Sequence, residues 1–210
     1  MVADMKTDHK NTKSRPRKPV PPNRPIRLYF SEVPQLEFAY YGSGFLEAAR
    51  SLVRRLRRQR GFRNVDPLPA LFLYRHSIEL YLKAIILRGD VIMSESEDPL
   101  ADTSLFKNIS GHHLLPLLTR VESVFRYVGW EWYWPINPEV KTLSNVRALL
   151  RFLERIDPLS TGFRYPVDKQ GRRLVAEDVE INFGSVVSAL DGLAESLETA
   201  DFGLAAEYSR

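Results

Sequence analysis

Apolar positions in residues 71–87 (LFLYRHSIELYLKAIIL) recur with a helical period and cover most of the circumference. At about 100° per residue, Leu71, Tyr74, Ile78, Tyr81, Leu82 and Ile85 share one broad face. Leu73, Leu80 and Leu87 occupy much of the opposite side. A helix apolar on two sides belongs in the middle of a bundle. One polar stripe interrupts it: Arg75, Glu79 and Lys83, spaced by four, with His76 beside them. Asp66 followed by Pro67 reads as a cap with proline in the first turn, and Gly89 reads as the stop.

The flanking pattern predicts further helices. An apolar helical run starts in residues 36–41, is interrupted by Gly42 and Gly44, and is clear over 43–60, with Phe45, Ala49, Leu52, Val53 and Leu56 inward. Residues 90–110 are acidic and irregular, a long excursion. A helix opens at Ser110-Gly111-His112-His113 and buries Leu114, Leu117, Leu118, Val121 and Phe125. Helical spacing returns over 138–156 and again over 182–199, with an optional short tail helix at 202–208. Between these two helices, residues 159–175 read as a small hairpin or folded loop turning at 168–171. The expected fold is all-α: an up-and-down bundle of four to five helices over residues 28–200, with that small insertion before the last helix and a tail at 201–210.

Charge changes the picture at one end. Residues 1–27 carry eight basic and two acidic side chains among several prolines, whereas the other 22 basic and 24 acidic side chains leave the rest at −2. The leader is expected to be a disordered basic arm, either an electrostatic contact for nucleic acid or an acidic partner, or a solubilising segment. It has no hydrophobic stretch of the secretory kind, and no apolar run approaches the ~18–20 residues that cross a bilayer. With no cysteine, disulfides and thiolate metal sites are excluded, which fits a cytoplasmic protein.

Four groups of residues are candidates for chemistry. Arg50, Arg54, Arg57 and Arg58 share an arc and repel one another unless neutralised, which favours a phosphate backbone or an acidic partner; a solvated face is the alternative. The stripe Arg75, His76, Glu79 and Lys83 is either a polar seam between helices or a site for phosphate and proton transfer. His112 and His113, at a helix start, could join Arg75 and Glu79 in metal-independent RNA cleavage, or simply cap and pack. Trp130, Trp132, Tyr133 and Trp134 suggest an interface anchor or a lid over a helix end, with nucleobase stacking as the sharper alternative. No metal-ligand spacing, phosphate loop or nucleophile elbow is present, so neither metal nor cofactor is expected.

The segment YRHSIELYLKAIIL, followed about 25 residues later by GHHLLPLL, resembles the two central segments of HEPN-domain proteins, and FRYPVDKQGR before a final helix is similar to a segment of bacterial members. The resemblance implies a helical bundle, commonly a homodimer tied to RNA. Many such proteins are metal-independent ribonucleases of toxin–antitoxin or phage-defence systems, with an R-x(4–6)-H motif. None of the four histidines here has an arginine at that upstream spacing. The expectation is therefore a non-catalytic or accessory RNA- or nucleotide-associated module, in which Arg50, Arg54, Arg57, Arg58 and Lys83 meet phosphate. The alternatives are a ribonuclease with a non-standard site at His112, His113, Arg75, His76 and Glu79, and a structural subunit docking a protein partner from the same operon.

Overall fold

The computed structural model describes residues 37–61, 63–94, 106–107, 109–132, 138–158, 160–175 and 178–208. The basic arm, Tyr133 and Trp134 lie outside these. The described residues form five helices and no strand: α1 (Phe38–Arg57), α2 (Leu68–Met93), α3 (Leu114–Val128), α4 (Leu143–Ile156) and α5 (Phe183–Tyr208). None is long and apolar enough to cross a membrane.

Helix α2 is the hub, packing against α1, α3 and α5. Leu71, Tyr74, Ile78, Leu82, Ile85, Ile86 and Leu87 are all buried, whereas Leu73 and Leu80 of the second apolar side are only half-buried; α2 is the central helix with one fully buried broad face. Contact register gives the directions. Gly42 of α1 meets Ser77 and Tyr81, while Phe45 meets His76, so α1 and α2 are antiparallel. Tyr74, Tyr81 and Arg88 bond in turn to Asp191, Glu198 and Asp201, so α5 runs parallel to α2. His112 sits beside Glu79 and Val124 against Gly89, so α3 also runs with α2. The bundle is therefore not strictly up-and-down. Between Met93 and the start of α3 the chain must return by about 20 Å, which gives the long excursion a purpose.

Five expected helix boundaries moved. Helix α2 continues past Gly89, because that residue marks a close approach rather than a stop. A Cβ there would lie 2.3 Å from a methyl of Val124. The Asp66 carboxylate accepts from the Arg63 backbone N–H instead of capping α2, whose first residue follows Pro67. Helix α4 starts at Leu143 because Thr142 and Asn145 form a reciprocal capping box; a short 3-10 turn, Pro138–Val140, precedes it. Helix α1 runs through Gly42, whose carbonyl accepts the Ser77 hydroxyl proton, and α5 continues without a break through the expected tail to Tyr208. The insertion before α5 is a turn with a single bridge, Val167 to Arg173, and not a hairpin of strands. Asp168 and a left-handed Gly171 supply its turn chemistry.

Candidate functional site

The charged stripe of α2 is an interior seam. Arg75 and Glu79 are 0% and 1% exposed. The carboxylate of Glu79 accepts from Lys83 at 2.8 Å and from Arg75 at 3.5 Å. It also lies 2.8 Å from His112 Nδ1. Arg75 donates to the His112 carbonyl at 3.0 Å, and its Nε faces Asp157, which is fully buried at the end of α4, across 3.9 Å. Removing a carboxylate from water favours its neutral form, so burial pushes the Glu79 carboxyl up; the bonds from Lys83 and His112 outweigh this and hold it below the usual range. Burial lowers the affinity of Arg75 for its proton, opposed by Asp157, Glu79 and Glu154.

Arg75, Glu79 and Asp157 close the seam on the inside, and His112 carries it to the surface. The side chain of His112 is 57% exposed, so Glu79 holds one ring nitrogen and the other faces outward. His113 is equally exposed but stands 3.9 Å from Glu154, whose carboxylate already accepts the backbone N–H groups of Leu114 and Leu115 at the start of α3. His76 takes a different place from Arg75, Glu79 and His112. It packs edge-on to Phe45 at 4.5 Å and stacks on Phe72 at 5.6 Å. Burial depresses its proton affinity below the ordinary imidazole value. The structure thus joins His112, Glu79 and Arg75, adds Lys83 as an internal counter-charge, and sets His113 and His76 to either side.

The arginine arc of α1 divides. Arg50 is committed to the protein: Nε donates to Asp191 at 2.7 Å, a second nitrogen donates to the same carboxylate at 3.2 Å, and a third reaches Glu47. These bonds raise its proton affinity further. Tyr74 donates to the same Asp191 at 3.0 Å, and burial together with that carboxylate pushes its phenol pKa up. Arg54 and Arg57 point into a cleft of about 420 Å³ between α1 and α5, walled by Arg50, Tyr74, Asp191 and Glu195. Neither has a carboxylate partner among the described residues; Arg54 bonds only the neighbouring Ser51 hydroxyl. Arg58 is exposed beyond the end of α1, outside the cleft. Lys83, expected to meet phosphate, is instead turned inward to Glu79.

The described tryptophans pack around the end of α3. Gly129 ends α3 in a left-handed conformation, and Trp130 N–H returns to the Phe125 carbonyl at 2.8 Å. This geometry lays Trp130 against Phe125 and over Gly203 of α5. Trp132 stacks on Phe125 and donates to the Val140 carbonyl at 3.2 Å. Both pack against helices of this chain, as lids over a helix end do, and both remain half-buried.

Sequence reasoning missed Asp157, Glu154 and Asp191. Asp157 follows α4, where the helix dipole disfavours an acid. That misplacement was the available signal: its carboxylate accepts the N–H groups of Thr161 and Gly162, both at 2.7 Å, and builds the next turn. No family model, curated protein or solved structure matches the chain.

Proposed function

We propose that this protein is a non-catalytic, HEPN-like module that binds phosphates of RNA or a nucleotide through the exposed arginines of α1. The observation that carries this is the pair Arg54 and Arg57, without carboxylate partners among the described residues, on the wall of the α1–α5 cleft. Arg50 supports the wall while its charge is spent on Asp191. Uncompensated guanidinium groups near a cleft attract a polyanion and release its counterions. Homodimerisation and a bacterial cytoplasmic defence or toxin–antitoxin setting, with an operon-encoded partner, follow from the family resemblance.

The test is binding of single-stranded RNA over a salt series. Arg54→Glu/Arg57→Glu, with unchanged helical content, is expected to abolish saturable binding. A double Ala variant should reduce the salt slope by about 1.4, for two lost phosphate contacts. RNA binding that ignores both substitutions overturns the assignment.

A second function is favoured by one specific contact, the 2.8 Å approach of buried Glu79 to exposed His112. A carboxylate that fixes one imidazole nitrogen leaves the other poised to take a proton from a ribose hydroxyl. Metal-independent cleavage of RNA, lost in His112→Ala and kept in Arg57→Ala, is its signature. Intact RNA after prolonged incubation with folded protein removes it.

A further inference from the structure

The α1–α5 cleft is not uniformly basic. Helix α1 runs antiparallel to α2 and α5 runs parallel to it, so α1 and α5 are antiparallel to each other. The bond from Arg50 to Asp191 fixes their register. From that bond, Arg54 and Arg57 lie one and two turns toward the Val187 side, whereas Glu195 lies one turn the other way. Arg54 and Glu195 are therefore about 12 Å apart along the helices at their points of attachment. No ion pair joins them, since Arg54 bonds only Ser51. Both nevertheless open onto the same cavity of about 420 Å³.

The groups along the cleft differ in what they have left to offer a ligand. Arg54 and Arg57 have no carboxylate partner among the described residues. Arg50 and Asp191, in the middle, neutralise each other, and the Tyr74 hydroxyl donates to the same carboxylate from the buried side. Glu195 is exposed, and its carboxylate has no partner among the described residues; the Thr199 hydroxyl goes to its backbone carbonyl instead. The cleft is thus bipolar, with free cations at one end, a free carboxylate at the other and a neutral pair between. A polyanion laid along its full length would bring a phosphate against Glu195, where like charges repel. A ligand that is anionic at one end and offers hydrogen-bond donors at the other satisfies both ends.

We infer, resting on the phosphate reading of Arg54 and Arg57, that the cleft takes a single guanine nucleotide with its phosphate on those arginines and its base edge on Glu195. An ionised carboxylate offers only acceptors, two of them side by side. Guanine answers with two adjacent donors, N1–H and the N2 amino group. Adenine and cytosine each present one amino group beside a ring nitrogen that is itself an acceptor, and uracil presents one N–H between two carbonyls. Each of these sets a lone pair against the carboxylate. Arg50, held in plane by its two bonds to Asp191, lies between the ends, where a guanidinium can stack on a base. The cavity volume is within the range of small-ligand sites.

The experiment is isothermal titration calorimetry of the full chain with the 5′-monophosphates of guanosine, inosine, adenosine, cytidine and uridine. The guanosine nucleotide is expected to bind about tenfold more tightly than those of adenosine, cytidine and uridine, the effect of an added charge-assisted hydrogen bond. The inosine nucleotide, which keeps N1–H and lacks the amino group, should fall between. Glu195→Gln should remove the preference and leave the weaker nucleotides unchanged, whereas Arg54→Glu/Arg57→Glu should remove binding of all five. A short RNA that begins with a 5′-phosphorylated guanosine and competes more strongly than the mononucleotide assigns the site to an RNA end; weaker competition assigns it to the free nucleotide. Equal binding of all five nucleotides, or a guanine preference that survives Glu195→Gln, overturns the guanine site and leaves the phosphate reading in place. RNA binding through Arg54 and Arg57 without any mononucleotide binding overturns it too. Absence of RNA binding altogether is the separate failure of the phosphate reading, and takes this site with it.

Discussion

Two helices of this protein carry charged side chains three or four residues apart along one face, and they use their cations in opposite ways. On α2, Arg75 and Lys83 bracket Glu79, and all three are buried. On α1, Arg54 and Arg57 have no bracketing acid and stay in solvent. The intervening carboxylate makes the difference. A lone charge inside a bundle costs several kcal/mol, roughly, so a cationic helix face enters the core only with its counter-ion on the same face. Arg50 lies between these extremes, brought halfway in by an acid from another helix, Asp191. Charge spacing alone therefore says little about exposure; the supply of acids decides it.

The largest way to break the comparison is Glu79→Ala. It strands Arg75 and Lys83 in the core and should cost about 3–5 kcal/mol in urea unfolding. Replacing Arg75, Glu79 and Lys83 together with apolar residues should cost less than that single change, because no unpaired charge remains. Asp191→Asn comes next. It weakens the bidentate bond from Arg50 and the bond from Tyr74, so about 1–2 kcal/mol is expected, moderated by the partial exposure of Arg50.

Acidification separates the regions by titration. His76 has a proton affinity depressed by burial, so the unfolded chain binds its proton first and stability falls as pH drops below about 6.5. Glu79 is also depressed in the folded state, by Lys83 and His112 acting against burial. Its contribution is present above about 4.5 and fades as pH falls through its lower folded value. His76→Phe, which keeps the aromatic packing, should flatten the upper part of this pH profile in denaturant midpoints and leave the lower part. The smallest effect belongs to Arg58→Ala, within about 0.5 kcal/mol by the same assay, because that side chain is exposed and has no charged partner among the described residues.

Much of the fold was legible because it depends on periodicity. The two-sided apolar pattern of 71–87 identified the hub, and the apolar positions of α3, α4 and α5 were read in the right places. The errors fell where one local signal has two meanings. Gly89 could end a helix or admit a neighbour, and only Val124 decided between them. The direction of α3 was hidden as well, since a connection of that length permits either orientation. The site was half legible. Arg75, His112 and Glu79 do come together, whereas His76 was drawn away by two phenylalanines that share its ring chemistry.

The sequence by itself determined which stretches are helical and which helix is interior, because both follow from the angular distribution of apolar side chains along a single element. Only the tertiary structure decided which charges are spent. Asp157, Asp191 and Glu154 reach Arg75, Arg50 and the start of α3 from 39 to 141 residues away, and ion pairing depends on distance in space. Those contacts separate the neutral seam of α2 from the exposed arginines of α1.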